Sequence, residues 1–303
     1  GFIQFIIGKN IIGYQIIDNN RVSSFFGDES ILGSYMIKII PFLFLYMLQK
    51  ISLKRQIFVF SIVILGIVLI FLSGERASAA LSILMILYLF VTMKELRIPT
   101  LISIFISFSL IILIFINSEN TKGRYVKTIQ ELFKSDLNQS NLDQQDIDRV
   151  NNEILDKKIT DGKLYIVSAT HNNYFITSLK MFNENKLFGH GPKSFRVLCN
   201  DDKFKINIWS CSTHPHNYYI QLLAEYGIIG FLFPFLLFLY FIYKSIKGLF
   251  KDVSFKIENI FYCFFIINLW PLTTTGNFFN NWISILIYLP FSFYLFNLKV
   301  NDK

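Results

Sequence analysis

Residues 98–116 read IPTLISIFISFSLIILIFI, with no charged side chain in the run. At 1.5 Å per residue such a segment makes a helix of about 28 Å, the thickness of bilayer hydrocarbon. Six more apolar segments surround it: Ile31–Leu48, Ile57–Leu72, Ala77–Met93, Tyr218–Tyr243, Ile257–Pro271 and Phe278–Leu298. Lys38 and Pro41 interrupt the first, and both are tolerated inside a helix bundle. Composition agrees. Of 303 residues 53% are hydrophobic and only 17% charged, and the mean hydropathy is +0.45. Soluble chains carry about 25% charge. A disordered, fibrous or disulfide-framework chain is excluded, and an all-α polytopic membrane protein is expected, with about seven transmembrane helices.

The net charge of +8 needs a location before it means a partner. Eleven basic residues fall in alternate connections: Lys50, Lys54 and Arg55, then Lys94 and Arg97, then Lys244, Lys247, Lys251 and Lys256, and finally Lys299 and Lys303. The positive-inside rule puts those connections and the C-terminus in the cytoplasm and accounts for the charge without nucleic acid. The remaining connections face outward, among them a long loop at residues 117–217. The expected layout is an outward-facing segment at 1–30, spans over 31–116, a large periplasmic loop at 117–217, spans over 218–298 and a cytoplasmic tail at 299–303. Residues 1–13 have no signal-peptide pattern and read as the tail of a preceding span, so N-terminal helices are expected upstream. Within the loop, Leu164–Phe182 reads as a helix lying on the membrane or on the bundle, and a short helix fits Asp146–Lys157. There is no internal repeat.

Candidate chemistry sits on the outward side. Cys199 and Cys211, twelve residues apart, are expected to form a disulfide in an oxidising compartment, whereas Cys263 reads as a buried apolar residue. With His214 and His216 they do not show a metal-ligand spacing. In Cys211-Ser-Thr-His-Pro-His-Asn217, Pro215 suits a first helical turn, which places His216 near unpaired N–H groups that disfavour an imidazolium. A neutral imidazole is what a general base requires. A histidine that simply ends a helix is the plainer alternative. On a continuous helix His216, Tyr219, Leu223 and Gly227 share one face, and Gly227 admits a close helix neighbour. Glu225 lies about a turn further on, placed to orient His216, to pair with an arginine or to be a buried polar partner.

Arg76 follows Ser73-Gly-Glu75 at a helix start, a site suited to anions or to a snorkelling cation paired with Glu75. Arg124, Arg21, Lys193 and Arg196 lie on the same outward side. Together they suggest a diphosphate or another anionic headgroup, with His171 as a contact for the acceptor and His214 and Glu225 in the same candidate substrate-binding set. His190 reads as structural. P-loop, GxGxxG, GxSxG and HExxH patterns are absent.

Three stretches carry a family resemblance: His216–Gly230 (HNYYIQLLAEYGIIG), Ser73–Ser78 (SGERAS) and Leu187–Phe195 (LFGHGPKSF). The chain resembles the O-antigen ligase / O-antigen polymerase superfamily of bacterial membrane glycosyltransferases. The resemblance implies a donor glycan on undecaprenyl diphosphate, an acceptor hydroxyl on lipid A–core, an inner-membrane location with a periplasmic active face, and metal-independent transfer without a cofactor. It makes His216 the base and assigns Arg76 and Arg124 to the leaving diphosphate. Ala80 stands where the family pattern has leucine. A polymerase extending the lipid-linked glycan is the closest alternative, a protein glycosyltransferase follows, and a lipid-linked glycan transporter belongs to a different class. Charges crowded on one face favour an enzyme over a transporter.

Overall fold

The computed structural model describes residues 1–16, 21–45, 52–119, 121–123, 125, 169–249 and 257–301. Arg124 and the expected helix at Asp146–Lys157 lie outside these residues. The described elements are helical: α1 (Phe2–Ile7), α2 (Leu32–Leu43), α3 (Leu53–Ser73), α4 (Arg76–Thr92), α5 (Arg97–Asn117), α6 (Ala169–Glu184), α7 (Phe195–Leu198), α8 (Tyr218–Leu249), α9 (Ile257–Asn268) and α10 (Asn281–Asn301). Each of the seven apolar segments coincides with a helix. Four of these (α3, α5, α8 and α10) are long and apolar enough to cross a membrane, while α2, α4 and α9 are shorter.

α5 is patterned as a lipid-facing helix. Its buried residues are Thr100, Ser103 and Ser107, spaced three and four apart, whereas Ile98, Ile102, Phe105 and Phe108 are exposed. Small polar residues facing the bundle with large apolar ones facing out is the arrangement expected where the surroundings are hydrocarbon. The several apolar helices make this a multi-pass membrane protein. α9 is the opposite case: every residue from Ile260 to Asn268 is buried, as in a helix that is apolar on all sides. It divides two cores. One joins α2, α3 and α4 to Ile260, Cys263 and Ile267. The other stacks aromatic rings of α8, α9 and α10, with Phe241 parallel to Phe265 at 4.3 Å. α6 packs against α8, Met181 meeting Ala224 in a small third core, so it lies on the bundle.

α8 is not one straight rod. Gly227 has φ 64° and ψ −162°, and beyond it the chain turns back. The rings of Phe231 and Phe235 lie 5.7 and 6.0 Å from Tyr219. In a straight helix residues twelve and sixteen apart would be separated by roughly 18 and 24 Å. The shared face expected for His216, Tyr219, Leu223 and Gly227 is therefore corrected.

Candidate functional site

The strand of chain ahead of α8 is held from both sides. Cys199 and Cys211 are bonded to each other. Asn217, not Pro215, begins the helix: its Oδ1 accepts from the N–H groups of Tyr219 and Ile220, which is N-cap geometry. Its Nδ2 donates to the carbonyls of Pro271 and Thr273 at 2.8 and 3.1 Å. Thr275 N–H donates to the carbonyl of His216 at 2.8 Å. Residues 271–275 thus clamp the approach to α8. His216 precedes the cap with φ 59°. The expectation that it lies within the first helical turn is corrected, because Asn217 takes up the N–H groups that would have faced it.

Its ring sits among three others. Centroids of His214, His171 and Tyr174 lie 4.1, 5.2 and 5.7 Å from that of His216. Ser212 Oγ is 3.1 Å from its Nε2. Burial, then the neighbouring His214 and His171, holds the His216 imidazole down at about 4. Desolvation likewise lowers His171 and His214. Arg196, exposed on α7, acts electrostatically on His214. The described residues contain no group of three metal-ligating side chains placed to hold an ion.

Glu225 does not orient His216. It is 1% exposed. Gln221 Nε2 donates to its Oε2 at 3.0 Å, and the backbone N–H groups of Phe195 and Lys193 point to the same carboxylate. Gln221 also accepts from Phe278 N–H through its Oε1 and donates to Asn277. Glu225 is therefore the buried polar partner that fixes the turn carrying Lys193 and Arg196. Lys193 itself is exposed, with φ 58°. His190 is structural: its Nε2 donates to the carbonyl of Met181 at 2.8 Å.

Gly227 admits no helix. A Cβ there would lie 2.3 Å from the carbonyl oxygen of Leu187. What approaches is the backbone of the turn at residues 186–191. Ile228 N–H donates to Lys186 O, His190 N–H to Ala224 O and Gly191 N–H to Glu225 O, at 2.8, 3.1 and 2.8 Å. The turn fills the break in α8 and takes over the hydrogen bonds that the helix gives up there.

A second group of residues surrounds the end of α3. Gly74 closes that helix in the left-handed region, and Arg76, exposed, opens α4. Glu75 reaches the start of α2. Its carboxylate accepts from the N–H groups of Gly33 and Ser34 and from the Ser34 and Ser78 hydroxyls. Arg21 lies beside this turn, since Val22 N–H reaches Leu72 O. Its Nε is buried with no hydrogen-bond partner among the described residues. The two groups share one end of the bundle. Lys38, one and a half turns along α2 and 5% exposed, donates to Tyr218 Oη at 2.9 Å, and Glu75 acts on it electrostatically. Tyr218 is the first residue of α8. Asn217 and Glu75 had readable signals, an N-cap type before an apolar run and a carboxylate at a helix start. The Lys38–Tyr218 link spans 180 residues and had none.

A family profile described as O-antigen ligase matches residues 60–235, which is more than half of the chain. No curated protein matches it.

Proposed function

Because this chain belongs to the O-antigen ligase family, we propose that it moves a glycan from an undecaprenyl-diphosphate donor to a hydroxyl of lipid A–core at the periplasmic face of the inner membrane. The topology we infer has seven spans, a large periplasmic loop at 117–217 and a cytoplasmic C-terminus, as the basic residues of alternate connections favour. His216 takes the proton of the acceptor hydroxyl. The acceptor oxygen bonds to the anomeric carbon from the face opposite the leaving group, and the bond from that carbon to the diphosphate oxygen breaks with its electron pair. Arg76 and Arg124, with Arg21, neutralise the departing diphosphate. Lys193, Arg196, His171 and His214 line the approach of the acceptor. No cofactor or metal enters this scheme.

The observation that carries the reading is the desolvated, neutral imidazole of His216, held by Ser212 and by the clamp at residues 271–275. The reading takes the tautomer in which Ser212 Oγ accepts from Nε2–H, so that Nδ1 presents the lone pair that a base needs.

The test is lipopolysaccharide from a strain lacking the gene and complemented with the full chain or its variants. His216→Ala and Arg76→Ala are expected to abolish long chains while core and membrane-protein level persist. A ladder like that of the unsubstituted protein in the His216→Ala strain would overturn the base assignment. Core capped by a single repeat unit would move the reading to a polymerase. Transfer in membranes treated with EDTA is expected to persist.

A further inference from the structure

The turn that fills the break in α8 exposes its two largest apolar side chains, Leu187 and Phe188, at 59% and 68%. Looseness does not explain this. Gly189 N–H donates to Asn185 O at 3.0 Å, and the next two N–H groups are bonded to α8. A rigid turn holds the pair outward. The lipid-facing side of α8 begins at the same place. Ile229, Phe233 and Leu236, spaced four and three apart, are all exposed. Leu187 carbonyl accepts from the N–H of Ile229, the first of them. From Ile229 to Leu249 the helix spans about 30 Å at 1.5 Å per residue, so hydrocarbon starts at the level of the break. Lys186, also exposed, precedes the pair where a headgroup phosphate would lie.

We propose that the turn at Lys186–Gly189 is an interfacial anchor, with Leu187 and Phe188 inserted among lipid acyl chains of the leaflet on that side and Lys186 at the headgroups. Through Gly191 and Glu225 the anchor fixes the depth, relative to the headgroups, of the chain that carries His216 into α8. The inference requires only that α8 crosses a bilayer. It is independent of which glycan moves.

The test uses a nitroxide at position 188, introduced by Phe188→Cys. Cys199 and Cys211 are bonded and Cys263 is buried, so the added thiol is the accessible one. The full protein in phosphatidylethanolamine–phosphatidylglycerol nanodiscs is probed by power saturation with oxygen and with a water-soluble nickel chelate. Phe233→Cys serves as the hydrocarbon reference and Asp202→Cys as the aqueous one. Leu187→Cys is the second site should Phe188→Cys fold poorly. The expected result is oxygen accessibility several-fold above that of the nickel chelate, as at position 233. Accessibility like that at position 202 would overturn the proposal, as would shielding from both reagents, which would mean that protein covers the pair. Because no substrate is present, failure here leaves the His216 reading standing, and loss of that reading leaves this result standing.

Discussion

Substituting Gly227→Ala tests the account of the broken helix. The backbone at φ 64°, ψ −162° is one that only glycine adopts readily, and an alanine there costs about 1–3 kcal/mol. Space adds to this. The new Cβ would lie 2.3 Å from Leu187 O and 2.7 Å from Lys186 O, so the turn has to retreat by about 1 Å before contact becomes ordinary. That retreat breaks the bonds from Ile228 and Ile229 to Lys186 and Leu187, each worth about 1 kcal/mol. The sum is about 3–5 kcal/mol, which lowers the melting temperature by roughly 10 °C in a chain of this size. Gly191→Ala is the control: φ is 95° but nothing lies within 4 Å of its Cβ, so only a backbone cost of about 1–2 kcal/mol remains. The assay is thermal unfolding of the purified protein in nanodiscs, followed by circular dichroism. Gly227→Ala no less stable than Gly191→Ala would refute the docking argument.

His216 is held down at about 4 against an ordinary value of 6.5, so the unfolded chain binds the proton more readily between those values. Its contribution to stability is complete above pH 6.5 and is lost as pH falls toward 4. The acid limb of the transfer rate is expected to have its midpoint well below 6.5, and a midpoint at 6.5 in a pH–rate profile would contradict the desolvated site. Asn217→Ala removes both the cap and the tether and is expected to cost about 2–3 kcal/mol. Asn217→Asp keeps the cap but cannot donate to Pro271 and Thr273 and sets a carboxylate oxygen against their carbonyls, so kcat is expected to fall; equal kcat for Asn217→Asp and the unsubstituted protein would sink the clamp. Lys38→Met and Tyr218→Phe each cut the link between α2 and the start of α8, so their effects on kcat are expected to be non-additive in the double variant. Strict additivity would show that the two residues act separately.

The helices were legible because hydrocarbon demands long apolar runs, and the chain supplies seven of them, the one at residues 98–116 free of charged side chains. α9 coincides with its segment too, although the nine residues from Ile260 to Asn268, enclosed by neighbours on every side, need no lipid to be apolar. The break at Gly227 was not legible. The apolar period runs through it unaltered, and a glycine inside a helix has several uses; only the approach of the turn at Leu187, forty residues earlier, requires the positive φ. The start of α8 set two local rules against each other. Proline favours the first helical position and asparagine favours the cap. Asparagine prevails here because residues 271–275 also engage it. Adjacency offers Glu75 a partner in Arg76, and tertiary packing adds four donors at the start of α2 and α4 that adjacency could not reveal.

The same comparison changes why the His216 imidazole is neutral. Read from the sequence, the helix terminus keeps His216 unprotonated. In the structure Asn217 has already satisfied those N–H groups, and burial with His214 and His171 does the work. The difference has chemical weight. In the proposed reaction a helix terminus would attract the anionic donor toward the base, whereas three desolvated, neutral imidazoles do not. The cations Arg76 and Arg21 instead gather at the end of α3, joined to the histidine side through Lys38 and Tyr218. An inverting displacement needs the proton acceptor and the leaving diphosphate on opposite faces of one carbon. Separate imidazole and arginine groups at the same end of the bundle, bridged by the buried Lys38–Tyr218 link, are what the proposed reaction calls for, and a single merged cluster would not serve it.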